Sequence, residues 1–177
     1  MQTQGIGSRN NSWISKEGNL FLSFALPLSA LPQDLKLESA SIYFAYLLKE
    51  NLAAFGSNVI LKWPNDFYID DKKIGGMITT LVGSDIICGV GINLIWADKG
   101  FAKLDVNIDK QKLLDSYFQN IEKKILWKQV FSKYKLEFQT NKKFFTHKES
   151  ERISLENVTL EDDGSISIDG ERMYSRR

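Results

Sequence analysis

The chain has 177 residues, 43% of them apolar and 25% charged, and carries a net charge of +1. This is the composition of one ordinary folded domain, or of one domain with a small appendage, and not of a disordered chain. The near-neutral balance argues against a nucleic-acid surface, no apolar run reaches the length of a membrane span, and no signal-peptide pattern opens the chain, so a cytoplasmic protein is expected.

The first organised element is Gly5-Ile6-Gly7-Ser8-Arg9-Asn10-Asn11-Ser12-Trp13. Two glycines, small polar residues and one arginine make a backbone that can turn several N–H groups towards an anion. Such a loop is a weak signal by itself. After Lys16-Glu17-Gly18, the run Asn19 to Leu26 is rich in aromatic and branched residues and predicts a strand. Apolar residues at Ala40, Tyr43, Phe44, Leu47, Leu48 and Leu52 fall at helical spacing over Leu37–Phe55, with Gly56 placed to stop the helix. That stripe is core packing.

Val59-Ile60-Leu61 reads as a buried strand ending in the corner Lys62-Trp63-Pro64-Asn65-Asp66, where proline fixes its own φ and holds Trp63 extended. Phe67-Tyr68-Ile69 is a second strand, Asp70-Asp71-Lys72 a tight turn, and Lys73 opens a third. A hairpin of that length brings Lys73 beside Asp66. Gly75-Gly76 then removes side chains where the backbone has to approach a ligand. A turn at Gly83-Ser84-Asp85 leads into Ile86 to Leu94, where Gly89 and Gly91 interrupt an apolar strand that ends at Asn93. Two glycines on one face of a strand suggest a ligand lying flat against it. Cys88, the single cysteine, sits in this strand as an inert buried thiol.

Asp109 is a candidate N-cap for an amphipathic helix with Leu113, Leu114, Tyr117, Phe118, Ile121, Ile125 and Leu126 as its apolar stripe; a second helical piece covers Trp127–Phe138. Asn141–Glu151 is polar and reads as a linker. It holds His147, the only histidine, so a histidine-built metal centre or Ser/His machine is excluded. Short strands at Ile153–Leu160, Ser165–Ile168 and Arg172–Ser175, with turns at Asp162-Asp163-Gly164 and Asp169-Gly170, are too small to stand alone and have to dock on the rest.

Lys62-Trp63-Pro64-Asn65-Asp66 followed by Lys73-Ile74-Gly75-Gly76 resembles the signature of biotin protein ligases. Gly5, Gly7, Trp13, Gly18, Asn19 and Leu20 match the family's covering loop and following strand, and Gly89-x-Gly91-x-Asn93 its binding floor. The resemblance runs over nearly the whole chain. It implies an α+β fold, a mixed sheet flanked by helices as in class II aminoacyl-tRNA synthetases, closed by a small SH3-like β piece. The implied division is a biotin- and ATP-binding catalytic domain over 1–140, a linker over 141–151 and a C-terminal β domain over 152–177. No helix-turn-helix pattern precedes the loop, so a repressor role is not expected. The family also carries a strand and helix, with a Ser-Thr pair, ahead of the loop; Gln2 alone stands there in this sequence. The expectation is therefore either a truncated or misassigned start, or a site short of part of its ureido contacts with an exposed sheet edge, whose consequences are weak biotin binding and association, as in a homodimer.

The function implied is ATP-dependent: biotin is activated as biotinyl-5'-AMP and passed to a lysine of the biotin carboxyl carrier protein of acetyl-CoA carboxylase. The cofactors implied are ATP, biotin and Mg2+. Lys73, Asp66 and Arg9 are the catalytic candidates. Gln2, Gly5, Trp13, Lys73, Gly76, Gly89 and Gly91 are the biotin candidates, and Gly7, Ser8, Arg9, Asn11, Asn65, Asn93 and Arg177 the nucleotide candidates. The chain departs from the family at Ser8-Arg9, where the family has arginine first, and at Asn10-Asn11, where a second Gly-Arg falls. That departure raises a non-catalytic module binding biotin or its adenylate as the alternative. A lipoate or octanoate transferase of the same superfold is a third reading, but its Gly-Gly-Gly loop is absent.

Overall fold

A computed structural model describes residues 5–6, 12–13, 16–148 and 151–175. Gly5–Ile6 (β1) and Ser12–Trp13 (β2) pair antiparallel, with Gly5 opposite Trp13. Leu20–Pro27 (β3), Ile60–Lys62 (β4), Asp66–Ile69 (β5), Lys72–Val82 (β6) and Asp85–Ile92 (β7) form one sheet in the order β3-β7-β6-β5-β4. Every pairing within it is antiparallel, as the two-residue turns Asp70-Asp71 and Gly83-Ser84 require. Asp70 takes φ of 53°, a left-handed conformation that aspartate tolerates better than most residues.

Alternation divides this sheet into two faces. Ile86, Cys88, Val90 and Ile92 on β7, with Met77 on β6 and Leu61 and Phe67 beside them, are buried. Helix α1 (Ala40–Ala54) and helix α2 (Lys110–Glu122) cover that face, and the Phe24 ring of β3 meets Phe44, Tyr117 and Phe118 edge-on. Asp109 caps α2 as expected, accepting from the backbone N–H groups of Gln111 and Lys112. Helix α3 (Trp127–Glu137) packs on α1, and its first N–H groups, at Trp127 and Lys128, are capped by the distant Asp34 carboxylate at 2.8 and 3.0 Å. The opposite face carries Ser23, Ala25, Ile78 and Thr80, all exposed.

Beyond α3, a 3-10 turn (Phe138–Lys143) leads into strands Phe145–Lys148 (β8) and Glu151–Ser154 (β9), then Thr159–Leu160 (β10), Ile166–Ile168 (β11) and Glu171–Met173 (β12). The polarity of 141–151 suggests a linker, but Asn141 is fully buried and its side chain works as a strand surrogate. The edge strand β4 points unpaired backbone groups outwards. Asn141 Oδ1 accepts from Trp63 N at 2.6 Å and Asn141 Nδ2 donates to Leu61 O at 3.0 Å, while Glu137 Oε1 accepts from Leu61 N at 2.7 Å. The edge is thereby closed by side chains instead of a further strand. The small β10–β12 sheet docks as expected, through its Asp162-Asp163-Gly164 turn. Trp127 Nε1 donates to Asp162 O and Trp63 Nε1 to Gly164 O, both at 2.8 Å, and Ser39 Oγ donates to Asp163 O at 2.7 Å.

Replacing Asn141 with Ala strands the buried Trp63 N–H just past β4 and the Leu61 carbonyl on it, each worth about 1–3 kcal/mol when unsatisfied. Urea unfolding of Asn141→Ala is expected to show a loss of about 2–4 kcal/mol. A change within about 0.5 kcal/mol, the norm for a surface linker, contradicts the edge-closing role.

Candidate active site

The site is built on the open face of the sheet, where β3, β7, β6 and β5 present one row of residues side by side. The register sets Phe21 opposite Gly91, Gly91 opposite Gly76, and Gly76 opposite Asp66. The two central positions lack side chains, so the row is a trough floored by backbone, with Phe21 at one end and Asp66 at the other. The next row, Ser23, Gly89 and Ile78, continues the floor. Gly89 and Gly91 thus lie on one face of β7, as the sequence suggests.

Lys73 Nζ lies 2.6 Å from Asp66 Oδ1, and the two side chains are 26% and 22% exposed. In a regular strand Lys73 and Gly76, three residues apart, would point to opposite faces. The ladder between β5 and β6 slips by one residue here: Tyr68 pairs with Lys73, but Phe67 pairs with Gly75. Ile74 is the residue absorbed by this bulge, and it is fully buried in the core. The slip therefore puts Lys73 and Gly76 on the same open face. A β-carbon on Gly76 would stand 3.0 Å from Asp66 Oδ1 and 3.6 Å from Lys73 Cε, so it would crowd the ion pair directly.

Gly75 has a different reason. A β-carbon there would come within 2.3 Å of the Gly91 carbonyl oxygen, so strand packing already requires this glycine and ligand clearance is not needed to explain it. Tyr68, paired with Lys73, has its phenol pushed up to about 12 by burial and then by the Asp66 charge, so it stays neutral. Burial likewise pushes the Cys88 thiol up to about 12, consistent with an inert core cysteine.

The corner before β5 is braced on β6. Asn65 donates its side-chain amide to the Met77 carbonyl, and Met77 N donates to Asn65 O at 2.9 Å. At the other end of the site, Asn93 is 4% exposed and used on both sides within the chain. Its Oδ1 accepts from Asn19 Nδ2 at 3.2 Å and its Nδ2 donates to Ala102 O at 3.2 Å. Asn19 in turn accepts the N–H groups of Leu94, Ile95 and Trp96 at 3.0, 3.1 and 3.2 Å, which folds the segment after β7 into a fixed turn beside β3.

Of the residues singled out from the sequence, the structure brings together Asp66, Lys73, Gly76, Gly89 and Gly91. Gly5 and Trp13 close the ends of their loop as backbone partners. Gln2, Gly7, Ser8, Arg9, Asn11 and Arg177 lie outside the described residues. Sequence reasoning missed Phe21 as the end wall, although its alternation with Leu20 and Leu22 marks it as facing away from the core. It also left Asn19 without a role and Trp63 as no more than part of a motif.

Gly76→Val is expected to fold and to lose ligand binding, because two methyl groups would fill the trough beside the ion pair. Calorimetry with biotin tests this, and wild-type affinity in a variant with native circular dichroism would rule out the trough as the binding floor.

The sequence model of the Biotin/lipoate A/B protein ligase family matches residues 1–94. A biotin acetyl coenzyme A carboxylase synthetase from Helicobacter pylori, solved with bound biotinylated ATP, superposes with a TM-score of 0.93 at 37% identity, covering 98% of this chain and 83% of that one. The bifunctional ligase/repressor BirA of Escherichia coli (strain K12) is 33% identical over 100 residues, 52% of this chain and 30% of that protein. The biotin--[acetyl-CoA-carboxylase] ligase of Paracoccus denitrificans is 32% identical over 106 residues, 54% of this chain and 42% of that protein. The chain thus spans less than half the length of these two sequence relatives. Together with the trough and its paired Lys73 and Asp66, these matches establish that the chain belongs to the biotin/lipoate A/B protein ligase family.

Proposed function

We propose that this chain activates biotin with ATP as biotinyl-5'-AMP and transfers the biotinyl group to a lysine of a biotin carboxyl carrier protein. The observation that carries the reading is the Lys73–Asp66 pair standing at the end of a glycine-floored trough. In the first step an oxygen of the biotin carboxylate attacks the α-phosphorus of ATP, the bond to the β-phosphate bridge breaks, and pyrophosphate leaves. Two anionic groups have to meet, and Lys73 supplies the fixed positive charge that offsets their repulsion. In the second step the acceptor amine attacks the acyl carbon, AMP leaves, and the surplus proton passes from the new amide nitrogen to a base. Asp66, freed from Lys73 once that ammonium turns to the biotin carboxylate, is placed to orient the incoming ammonium and take its proton.

In the same proposal the glycine loop Gly5 to Trp13 covers the ligand, with Arg9 taking the charge that the family places one residue earlier. Asn65 and Asn93 hold the corner and the floor around the nucleotide, each through main-chain contacts described above. Mg2+ enters as the counterion of ATP. Among the described residues no three His, Cys, Asp or Glu side chains gather as an ion cage. The non-catalytic alternative is disfavoured by the intact ion pair, which a simple binding floor does not need. Among the described residues no helix is long and apolar enough to cross a membrane.

Pyrophosphate release on mixing the protein with biotin and ATP is the expected signal, with lipoate in place of biotin giving little. Lys73→Ala should lower the rate on the order of a hundredfold, the usual loss for one preorganised group at a developing charge. A wild-type rate in Lys73→Ala, or no pyrophosphate from the wild type, contradicts the assignment.

A further inference from the structure

Trp63 sits within the corner that carries Asn65 and Asp66, yet its side chain points away from the trough. The ring is 2% exposed, and its Nε1–H donates to the Gly164 carbonyl at 2.8 Å in a fully buried hydrogen bond across 101 residues of chain. Its backbone N–H is held by Asn141 Oδ1 at 2.6 Å. The main-chain and side-chain donors of one residue are therefore both spent on the C-terminal part of the molecule. Two residues later, Asn65 is clamped to Met77 through its backbone and its side chain. Next in sequence is Asp66, whose Oδ1 meets Lys73.

The receiving turn is fixed as well. Gly164 has φ of 79°, and a β-carbon there would stand 2.7 Å from Ile42 Cδ1 and 3.4 Å from the Trp127 ring. The turn is thus wedged between α1 and α3 and cannot follow Trp63 if the ring moves. It accepts a second indole two residues earlier, since Trp127 Nε1 donates to Asp162 O at the same 2.8 Å. Trp127 belongs to α3, far in sequence from the Trp63–Asp66 corner.

We propose that Trp63 is a positioning residue: through Gly164 it uses the C-terminal β unit as the anvil that sets Asp66 against Lys73. This rests on the biotin-activating reading given above. A small unit that supplies no side chain to the described trough then still governs the rate of the chemistry. Loss of the indole donor leaves a buried carbonyl unpaired and a gap beside the ring, so the corner relaxes and Asp66 shifts relative to Lys73. Displacements of this kind are felt in turnover more than in binding, because the trough floor of Gly76 and Gly91 belongs to strands that the Trp63–Gly164 bond does not touch.

The two indoles provide a matched experiment. Trp63→Phe and Trp127→Phe each remove one indole N–H bond to the same turn and leave a phenyl ring. Urea unfolding, pyrophosphate release and the KM for biotin are measured on both full-length variants, with turnover normalised to titrated active sites. Trp63→Phe is expected to lose kcat on the order of tenfold or more, with KM for biotin unchanged within about twofold, whereas Trp127→Phe keeps its kcat within about twofold at a similar loss of stability. Equal losses of kcat in both variants, or none in Trp63→Phe, overturn the proposal. Where Trp63→Phe does not fold, Gly164→Ala lifts the turn with the indole intact and must lower kcat in the same way; wild-type turnover in that variant overturns it. Absence of pyrophosphate release from the wild-type chain is a separate failure, that of the ligase reading itself.

Discussion

The one-residue slip between β5 and β6 is the constraint on which the site depends. It keeps Ile74 and Gly75 both on the core side, so that Lys73, Gly76 and Asp66 share the open face of the sheet. A continuous ladder would have kept the lysine or the glycine but not both on that face. The bulge costs part of one ladder rung and returns a cation, an anion and a side-chain-free floor within a few ångströms of one another. An ion pair this exposed contributes little to stability by itself. In the proposed function its value lies in geometry: the lysine is held where a substrate carboxylate would replace the aspartate.

Around that pair, the rigid parts of the molecule are arranged to leave the trough free while gripping its ends. Asn65 braces the corner on β6, and Asn19 and Asn93 fold the segment beyond β7 against β3. Glu137 and Asn141 close the outer edge of β4. Most of these bonds join a side chain to main chain across dozens of residues. They place polar groups where burial would otherwise leave backbone unpaired, and so they stabilise and position at once.

Much of this was legible in the sequence. The helices α1 and α2 announce themselves by apolar spacing and by Gly56 and Asp109 at their ends, and the hairpin carrying Lys73 by Asp70-Asp71. The pairing of Lys73 with Asp66 follows from hairpin length. The bulge does not, because Ile74 is as good a strand residue as any and its absorption shows only in the register between β5 and β6. The packing reason for Gly75 is hidden likewise: the oxygen that forbids its β-carbon belongs to Gly91, a strand away. The segment after α3 looked like a linker since its polar residues have no local partner, yet Asn141 is buried against β4. Asp34, capping a helix 93 residues further on, is equally silent in a local reading.

The structure of the protein bound to biotinyl-5'-AMP, or to a non-hydrolysable analogue of it, tests the central claim most directly. The account predicts that the ligand lies over Gly76 and Gly91, and that Lys73 Nζ leaves Asp66 for the carboxyl end of biotin, leaving the aspartate free to face the acceptor. A ligand seated elsewhere, or one seated in the trough with the 2.6 Å contact between Lys73 and Asp66 unchanged, contradicts it.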